Sequence, residues 1–171
     1  MMKTKVLNLP DDIQPMIDLA LLSRQNNFHI YDLPYRLSSW AVDSADNGQL
    51  WFENDQLVAW AILQTPFWSL DFVIHPAYEN DLLPIILEWA DQQATIILHS
   101  PFGRPSWYIH VFNDQFNRIS VLEQVGYQSQ SNVGEDSWSK VLMRRSKQAL
   151  EKKHLPKPVF VVRPLAGEQE V

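Results

Sequence analysis

The spacing of apolar residues predicts two helices near the start of the chain, after a short strand over residues 6–9. Asp11 and Asp12 supply an N-cap and favourable charge for the first turn of a helix over 11–24. Within that helix, apolar residues recur at intervals of three and four and form one face. A second, shorter helix begins at Leu33 and precedes a turn at 46–48.

The pattern then changes to that of strands. Segments 49–53 and 57–64 flank Asn54-Asp55, which predicts a β-hairpin. Both faces of segment 57–64 are apolar, so we expect this strand to be covered on both sides. A further strand over 69–75 stops at Pro76, and a helix over 81–93 follows it.

The next part of the chain alternates between strand and helix patterns. Residues 95–99 are apolar and include β-branched side chains, which predicts a central strand. A helix over 113–125 ends at Gly126, a typical C′ residue, and 127–130 and 137–144 are the last two predicted strands. This alternation is typical of an α/β domain with at least one parallel pair of strands.

Composition excludes several classes of protein. The formal charge of −6 argues against a nucleic-acid partner, which would require clustered Lys and Arg. The absence of cysteine excludes disulfides, thiolate zinc sites and a Cys nucleophile. The N-terminus lacks the apolar segment of a signal peptide, and no apolar run approaches the roughly 18 residues of a membrane span. We therefore expect a cytoplasmic protein with no membrane partner.

The C-terminal part predicts a division into domains. The first domain is expected to cover residues 1–147, and residues 148–158 form a linker that ends in a Pro- and Lys-rich stretch. Residues 159–171 repeat the pattern of the chain's opening: a short strand, a proline and an acidic helix start. They are the expected beginning of a second, truncated domain of the same kind.

Three local patterns stand out along the chain: Val73-Ile74-His75-Pro76, Leu122-Glu123-Gln124-Val125-Gly126-Tyr127 and Val161-Val162-Arg163-Pro164-Leu165. Their order resembles that of the GNAT superfamily of acyl-CoA-dependent N-acyltransferases, and the resemblance covers residues 5–145. The resemblance implies a GNAT-like fold, with a mixed central sheet and helices on both faces. It also implies acetyl-CoA or another acyl-CoA as cofactor, and a small-molecule or peptide amine as acceptor.

The loop that should hold CoA departs from the family pattern. In that family, Arg/Gln-x-x-Gly-x-Gly/Ala follows the His-Pro stop, and its backbone N–H groups bind the pyrophosphate. The matching positions here are Glu79, Leu82 and Pro84. Pro84 has no N–H, and Glu79 places negative charge where an anion would bind. An acyl-CoA would then have to bind through the backbone of the strand around Phe72 and Ile74.

A second departure concerns the last predicted helix. Leu122 occupies the position where many members have a Tyr that protonates the departing thiolate, and Gln115 replaces the family's Asn. The sequence therefore predicts a degenerate acetyltransferase-like domain that is inactive or weakly active. The alternative is a non-catalytic substrate-binding or interaction domain, which packs on a second acyltransferase domain or on another copy.

Two groups of side chains are candidates for the remaining chemistry. His99 and Ser100 follow a predicted strand and, with His110, form a candidate catalytic cluster, although a partly buried hydrogen-bonded pair explains them as well. Tyr31, Tyr35 and Trp40 lie where the family's first helices cover the acceptor, so they are candidates for a substrate pocket. No metal-ligand spacing is present, and we expect no metal site.

Overall fold

The computed structural model describes residues 2–131 and 133. All helices and strands of these residues lie in the first of two units, Met1–Gln128. The strands are β1 (Lys3–Val6), β2 (Gly48–Glu53), β3 (Gln56–Gln64) and β4 (Ser69–Ile74). The α-helices are α1 (Ile13–Leu22), α2 (Leu33–Leu37), α3 (Glu79–Ile97) and α4 (Phe116–Gln124), and short 3₁₀ turns include Pro76–Tyr78 before α3.

The four strands form one sheet in the order β1-β2-β3-β4, and each neighbouring pair is antiparallel. The predicted hairpin between β2 and β3 is confirmed. Its turn residues Asn54 and Asp55 have φ angles of 49° and 63°. Two successive left-handed residues are typical of a tight turn whose twist matches that of the flanking strands, and Asn and Asp tolerate this conformation.

The strand predicted over 95–99 is wrong, because α3 continues to Ile97. No glycine or proline occurs between Pro84 and Pro101, and the apolar face persists, since Ala90, Ala94 and Ile97 all pack in one core. The predicted parallel pair is reduced to an isolated bridge between Ser69 and Tyr108. Residues 127–130 form no strand, and the one predicted over 137–144 lies outside the described residues.

The sheet separates two apolar cores, as the predicted fold class requires. Helices α1 and α2 cover one face and contribute Met16, Leu19, Ala20, Leu33 and Leu37 to a core with Trp60, Ile62 and Val73 of the sheet. Helices α3 and α4 cover the other face, with Leu82, Leu83, Ile86, Leu87 and Leu122 against Trp51, Ala59, Ala61 and Leu63. The α+β architecture with helices on both faces is therefore confirmed.

Strand β3 is buried on both faces, as its sequence predicted, but a bulge changes the assignment at one end. The register shifts between Trp51 and Phe52, which pair with Ala59 and Leu57 and leave Val58 as the extra residue. Val58 consequently packs in the core under α3 and α4, whereas strict alternation along the strand would place it on the opposite face with Trp60.

The helix ends follow the predictions only in part. Asp12 occupies the N-cap position of α1, but its carboxylate does not cap the helix. It accepts instead from the Asn8 N–H at 2.8 Å and from Lys5 Nζ at 2.6 Å. At the end of α4, Gly126 has φ 99° and is the predicted C′ residue.

The boundary predicted at residue 147, the linker over 148–158 and the second domain start at 159–171 lie outside the described residues and stay predictions. Within the part of the chain that the structure describes, the helices are too short or too polar to cross a membrane.

Candidate functional site

The segment that follows β4 is helical where the resemblance requires an open glycine loop. His75 Nδ1 accepts from the Ala77 N–H at 3.2 Å, and the 3₁₀ turn Pro76–Tyr78 leads directly into α3 at Glu79. Leu82 is fully buried in the core and cannot face a ligand. Pro84 lies inside α3 and brings no N–H to its backbone. The positions of the expected phosphate loop therefore build a helix instead.

An internal ion pair occupies the first turn of this helix. Glu79 Oε1 accepts a hydrogen bond from Arg118 Nε at 2.7 Å, and Nη2 of the same guanidinium lies 2.7 Å from this oxygen. Arg118 also donates through Nη1 to the Asn26 carbonyl at 3.1 Å, and its guanidinium lies 5.0 Å from the centroid of the Phe72 ring. The cation nearest to the start of α3 is thus already neutralised by a carboxylate of the same chain.

The outer edge of β4 is also partly occupied. The Leu70 N–H donates to the Tyr108 carbonyl at 2.9 Å, away from β3. Because backbone groups alternate along a strand, those of Phe72 and Ile74 face this same edge. The Ile74 carbonyl there accepts a buried hydrogen bond from Ser23 Oγ at 3.1 Å. At the edge expected to bind an acyl-CoA, the Ile74 carbonyl is therefore already used by Ser23.

A buried polar cluster lies between α2 and β4. Arg36 Nη1 donates to both oxygens of Asp71, at 2.8 and 3.0 Å, and its Nε donates to Asp32 Oδ2 at 3.2 Å. Ser69 Oγ lies 3.3 Å from Asp71 Oδ1. Both Asp71 oxygens are therefore satisfied in a region that solvent barely reaches, and the network ties α2 to the sheet.

Histidines extend this cluster. His29 Nδ1 lies 3.1 and 3.2 Å from the Asp32 oxygens, and its Nε2 lies 3.1 Å from His110 Nδ1. The ring of Phe28 stacks on His110 at 5.4 Å between centroids. A small cavity of about 20 Å³ lies beside these imidazoles and beside Asp71.

Burial changes the ionisation of this cluster in two opposite directions. Burial raises the pKa of Asp71 to about 6, against the opposing influence of Arg36. Burial, with Arg36 nearby, lowers the pKa of His29 to about 4. At neutral pH the cluster therefore contains an ionised Asp71 paired with Arg36, and a neutral His29.

The candidate catalytic residues do not come together as one group. His99 and Ser100 follow the last turn of α3 rather than a strand, and Ser100 Oγ accepts from the Phe102 N–H at 3.2 Å. His110 instead contacts His29, which the sequence analysis did not single out. Among the described residues, no group of three or more His, Asp or Glu side chains could hold a metal ion.

The candidate acceptor residues are on the surface. Tyr31 and Tyr35 are 70% and 67% exposed, and Trp40 is 48% exposed. Tyr35 contacts the ring of Phe67, and Trp40 contacts that of Phe102. These contacts join α2 and the 3₁₀ turn after it to the segments that carry Phe67 and Phe102.

The two altered positions of the last helix have structural roles. Leu122 is buried in the core under α3 and α4. Gln115 accepts from the Phe112 N–H at 2.9 Å and donates to the Asn26 carbonyl at 3.0 Å. Both side chains therefore hold α4 in place, and neither presents a group that could transfer a proton at neutral pH.

The sequence patterns did not single out His29, Arg36, Asp71 or Arg118. One signal was available for Asp71: a single acidic residue inside an otherwise apolar strand needs a partner when it is buried. The identity of that partner was not readable, because Arg36 lies 35 residues away and His29 lies 81 residues from His110.

No family model matches the chain, and no curated protein matches it. Among solved structures, the chain is similar to the ribosomal-protein-S18-alanine N-acetyltransferase from Escherichia coli, with a TM-score of 0.49 and 16% identity. The similarity covers 74% of this chain and 77% of that chain, and it concerns the arrangement of helices and strands.

Proposed function

We propose that this domain is a degenerate acyl-CoA N-acyltransferase-like domain, which lacks the family's pyrophosphate site and has little or no acyltransferase activity. The three sequence patterns support the relation to that class. The loss of activity is supported by the ion pair between Glu79 and Arg118 in the first turn of α3, and this single observation carries the proposal.

The chemistry of that turn opposes an anionic cofactor. A pyrophosphate at the start of a helix requires free N–H groups and a favourable local charge. Here the first turn carries Glu79 and Asp81, and the guanidinium of Arg118 is already bound by a carboxylate. A pyrophosphate would have to displace Glu79 from Arg118 and then remain beside its negative charge, which disfavours binding.

A calorimetric titration with acetyl-CoA tests the proposal. We expect no saturable heat for the full chain up to millimolar ligand. In Glu79→Gln the repelling charge is removed while the side chain keeps its shape, so we expect weak binding of inorganic pyrophosphate to appear. Glu88→Gln, an exposed substitution on the same helix, is the matched control and should behave as the unaltered chain. Saturable micromolar binding of acetyl-CoA by the unaltered chain would contradict the proposal.

A specific observation favours a second candidate function, that of an interaction domain. A mainly apolar groove of about 560 Å³ lies along the outer side of α3, lined by Pro84, Leu87, Thr95, Ile96 and Val125 with acidic residues beside them. Ile96 is 70% exposed, and clustered exposed apolar side chains mark contact surfaces more often than isolated ones do. In this alternative the groove binds a second copy of the chain.

Sedimentation velocity over a dilution series distinguishes this alternative. If the groove is a homodimer interface, the full chain dissociates on dilution, and Ile96→Glu is monomeric at concentrations where the unaltered chain is not. Leu21→Glu, on the exposed side of α1, is the control for a general effect of added charge. A strict monomer at every concentration would exclude the dimer.

A further inference from the structure

We propose that Arg104 and Trp68 form a binding site for a small ligand that combines a carboxylate with an aromatic ring. Arg104 lies in the loop between α3 and α4, and Trp68 lies in the turn between β3 and β4. The site includes no residue of the first turn of α3, so it is independent of the proposed loss of CoA binding.

The loop that carries Arg104 is packed closely against the end of α3. The Gly103 N–H donates to the Ser100 carbonyl at 3.1 Å. A Cβ atom at Gly103 would lie 2.0 Å from the carbonyl oxygen of Leu98, so only glycine allows the two backbones to approach in this way. The backbone position from which the Arg104 side chain extends is therefore fixed by its neighbour.

Trp68 provides the surface on which Arg104 lies. The Tyr108 N–H donates to the Trp68 carbonyl at 2.8 Å, and Trp68 has a φ angle of 53°. A left-handed backbone is unfavourable for a bulky residue, so the surrounding contacts must hold Trp68 in this conformation. The guanidinium carbon of Arg104 lies 5.0 Å from the centroid of the Trp68 ring, within the range of a cation–π interaction. Trp68 nevertheless remains 45% exposed.

The hydrogen-bond donors of Arg104 are only partly used. Nη1 donates to the Gly103 carbonyl at 3.0 Å. Nε is buried without a hydrogen-bond partner among the described residues, whereas Nη2 beside it is not buried and donates to none of them either. Nε and Nη2 form the edge through which a guanidinium binds a carboxylate with two parallel hydrogen bonds. This edge of Arg104 therefore has no partner in the described part of the chain.

Another arginine of the same domain shows what such an edge binds. Nε and Nη2 of Arg118 both lie 2.7 Å from one oxygen of Glu79. Arg104 makes no ion pair with a described carboxylate, although the chain has 20 acidic residues against 14 Lys and Arg. The equivalent edge of Arg104 is thus suited to the carboxylate of a ligand.

Charge and surroundings define the class of ligand. A single guanidinium neutralises one negative charge and the chain as a whole carries −6, so a monoanionic carboxylate is favoured over a doubly charged phosphate. The exposed part of Trp68 favours an aromatic ring on that carboxylate, because two rings bury apolar surface against each other. One carboxylate oxygen accepts from Nη2 of Arg104, and a small rotation of the side chain brings Nε to the other oxygen.

NMR spectra of the ¹⁵N-labelled full chain, titrated with sodium benzoate at constant ionic strength, test the site. We expect the indole N–H signal of Trp68, assigned through Trp68→Phe, to shift and to saturate in the millimolar range, because a single partly solvated ion pair is weak. Benzyl alcohol has the same ring without the negative charge, so it should bind at least about tenfold more weakly.

Two arginine variants show whether Arg104 is the cation. Arg104→Gln keeps a polar side chain and loses the charge, so benzoate should bind at least about tenfold more weakly. Arg24→Gln is the matched control. Arg24 is exposed and makes neither an ion pair nor a cation–π contact within the described residues, so its loss should leave benzoate binding unchanged.

Four results would overturn the proposal. Two of them need only the unaltered chain: the absence of a saturable shift with benzoate, and equal binding of benzyl alcohol. These two decide the matter even if Arg104→Gln does not fold. Tighter binding of inorganic phosphate than of benzoate would show that the ligand is not a carboxylate. Equal effects of Arg104→Gln and Arg24→Gln would show that benzoate responds to overall charge rather than to this site.

Discussion

Two arginine–carboxylate pairs flank β4, and they differ in how completely they are satisfied. Arg36 donates to both oxygens of Asp71, which also lies beside Ser69 Oγ. Arg118 binds Glu79 through one oxygen only, and the other oxygen of Glu79 is buried without a hydrogen-bond partner within the described region. Both carboxylate oxygens of the first pair accept hydrogen bonds, whereas one carboxylate oxygen of the second pair accepts none among the described residues.

The difference indicates different roles. A fully satisfied buried pair specifies one arrangement of α2 on the sheet, because breaking it would leave a charge buried without a partner. The pair at Glu79 is less buried and keeps an unsatisfied oxygen, so its structural benefit is smaller. Its clearest consequence is the negative charge that it holds in the first turn of α3, where the proposed function places the lost pyrophosphate site.

Removing Arg36 gives the largest expected effect. Arg36→Met leaves Asp71 buried without the cation that favours its ionised form, so the carboxyl must either take up a proton or remain as an unpaired buried charge. We expect the free energy of unfolding to fall by about 3–5 kcal/mol. Urea denaturation measures this loss. The double variant Arg36→Met/Asp71→Leu removes both charges and should recover most of it. A loss below about 1 kcal/mol in the single variant would show that the two pairs do not differ as described.

The pH dependence of the free energy of unfolding tests the ionisation of Asp71 and of the neighbouring His29. The folded pKa of His29 is lowered, so the unfolded chain binds a proton first and stability falls as pH drops from about 6.5 to 4. The folded pKa of Asp71 is raised from 3.8 to about 6, so the folded chain binds that proton first and stability rises as pH drops from about 6 to 4. These two contributions oppose each other.

His29→Phe should therefore remove the contribution of His29 to the pH dependence of stability and leave that of Asp71. Relative to the unaltered chain, we expect this variant to gain stability between pH 7 and pH 4, by at most about 3 kcal/mol. Urea denaturation at several pH values gives the difference. If the free energy of unfolding of the two proteins changes in parallel with pH, the folded chain does not keep His29 neutral in this range.

Removing Arg118 should have a smaller effect than removing Arg36. Arg118→Met keeps an apolar stem over Phe72 and leaves Glu79, which is partly reached by solvent. We expect a loss of about 1–3 kcal/mol by urea denaturation. A loss as large as that of Arg36→Met would mean that the Glu79 pair is a structural element of equal weight.

The smallest effect on stability is expected for an exposed ion pair, that of Lys3 and Asp55. Lys3 Nζ lies 2.8 Å from Asp55 Oδ1, and both side chains are largely solvated. Lys3→Gln should leave the urea midpoint unchanged, because solvent screens such pairs and the side chains lose entropy when they are held together. A measurable shift of the urea midpoint would contradict the expectation that an exposed ion pair contributes little to stability.

The sequence was informative where structure is local. The hairpin depends on Asn54 and Asp55 alone, and the end of α4 depends on Gly126, so both were predicted. The burial of β3 on both faces followed from its composition. The absence of an N–H at Pro84 and the charge of Glu79 could also be read directly, because they are properties of the residues themselves.

Features that depend on distant contacts were not predicted. The segment over 95–99 is apolar and partly β-branched, which favours a strand, but packing of Ala94 and Ile97 on the core keeps it in α3. The ring pair of His29 and His110 forms across 81 residues. Local sequence patterns do not show which buried polar groups meet, since that depends on the register of whole elements.

The central claim is that the described domain has lost the site for an acyl-CoA. Amide NMR spectra of the ¹⁵N-labelled full chain, recorded with acetyl-CoA up to millimolar concentration, test it at the residues concerned. We predict that the amide signals of Phe72, Ile74, Glu79 and Leu82 do not move. A saturable shift of these signals, centred on the edge of β4 and the first turn of α3, would contradict the account.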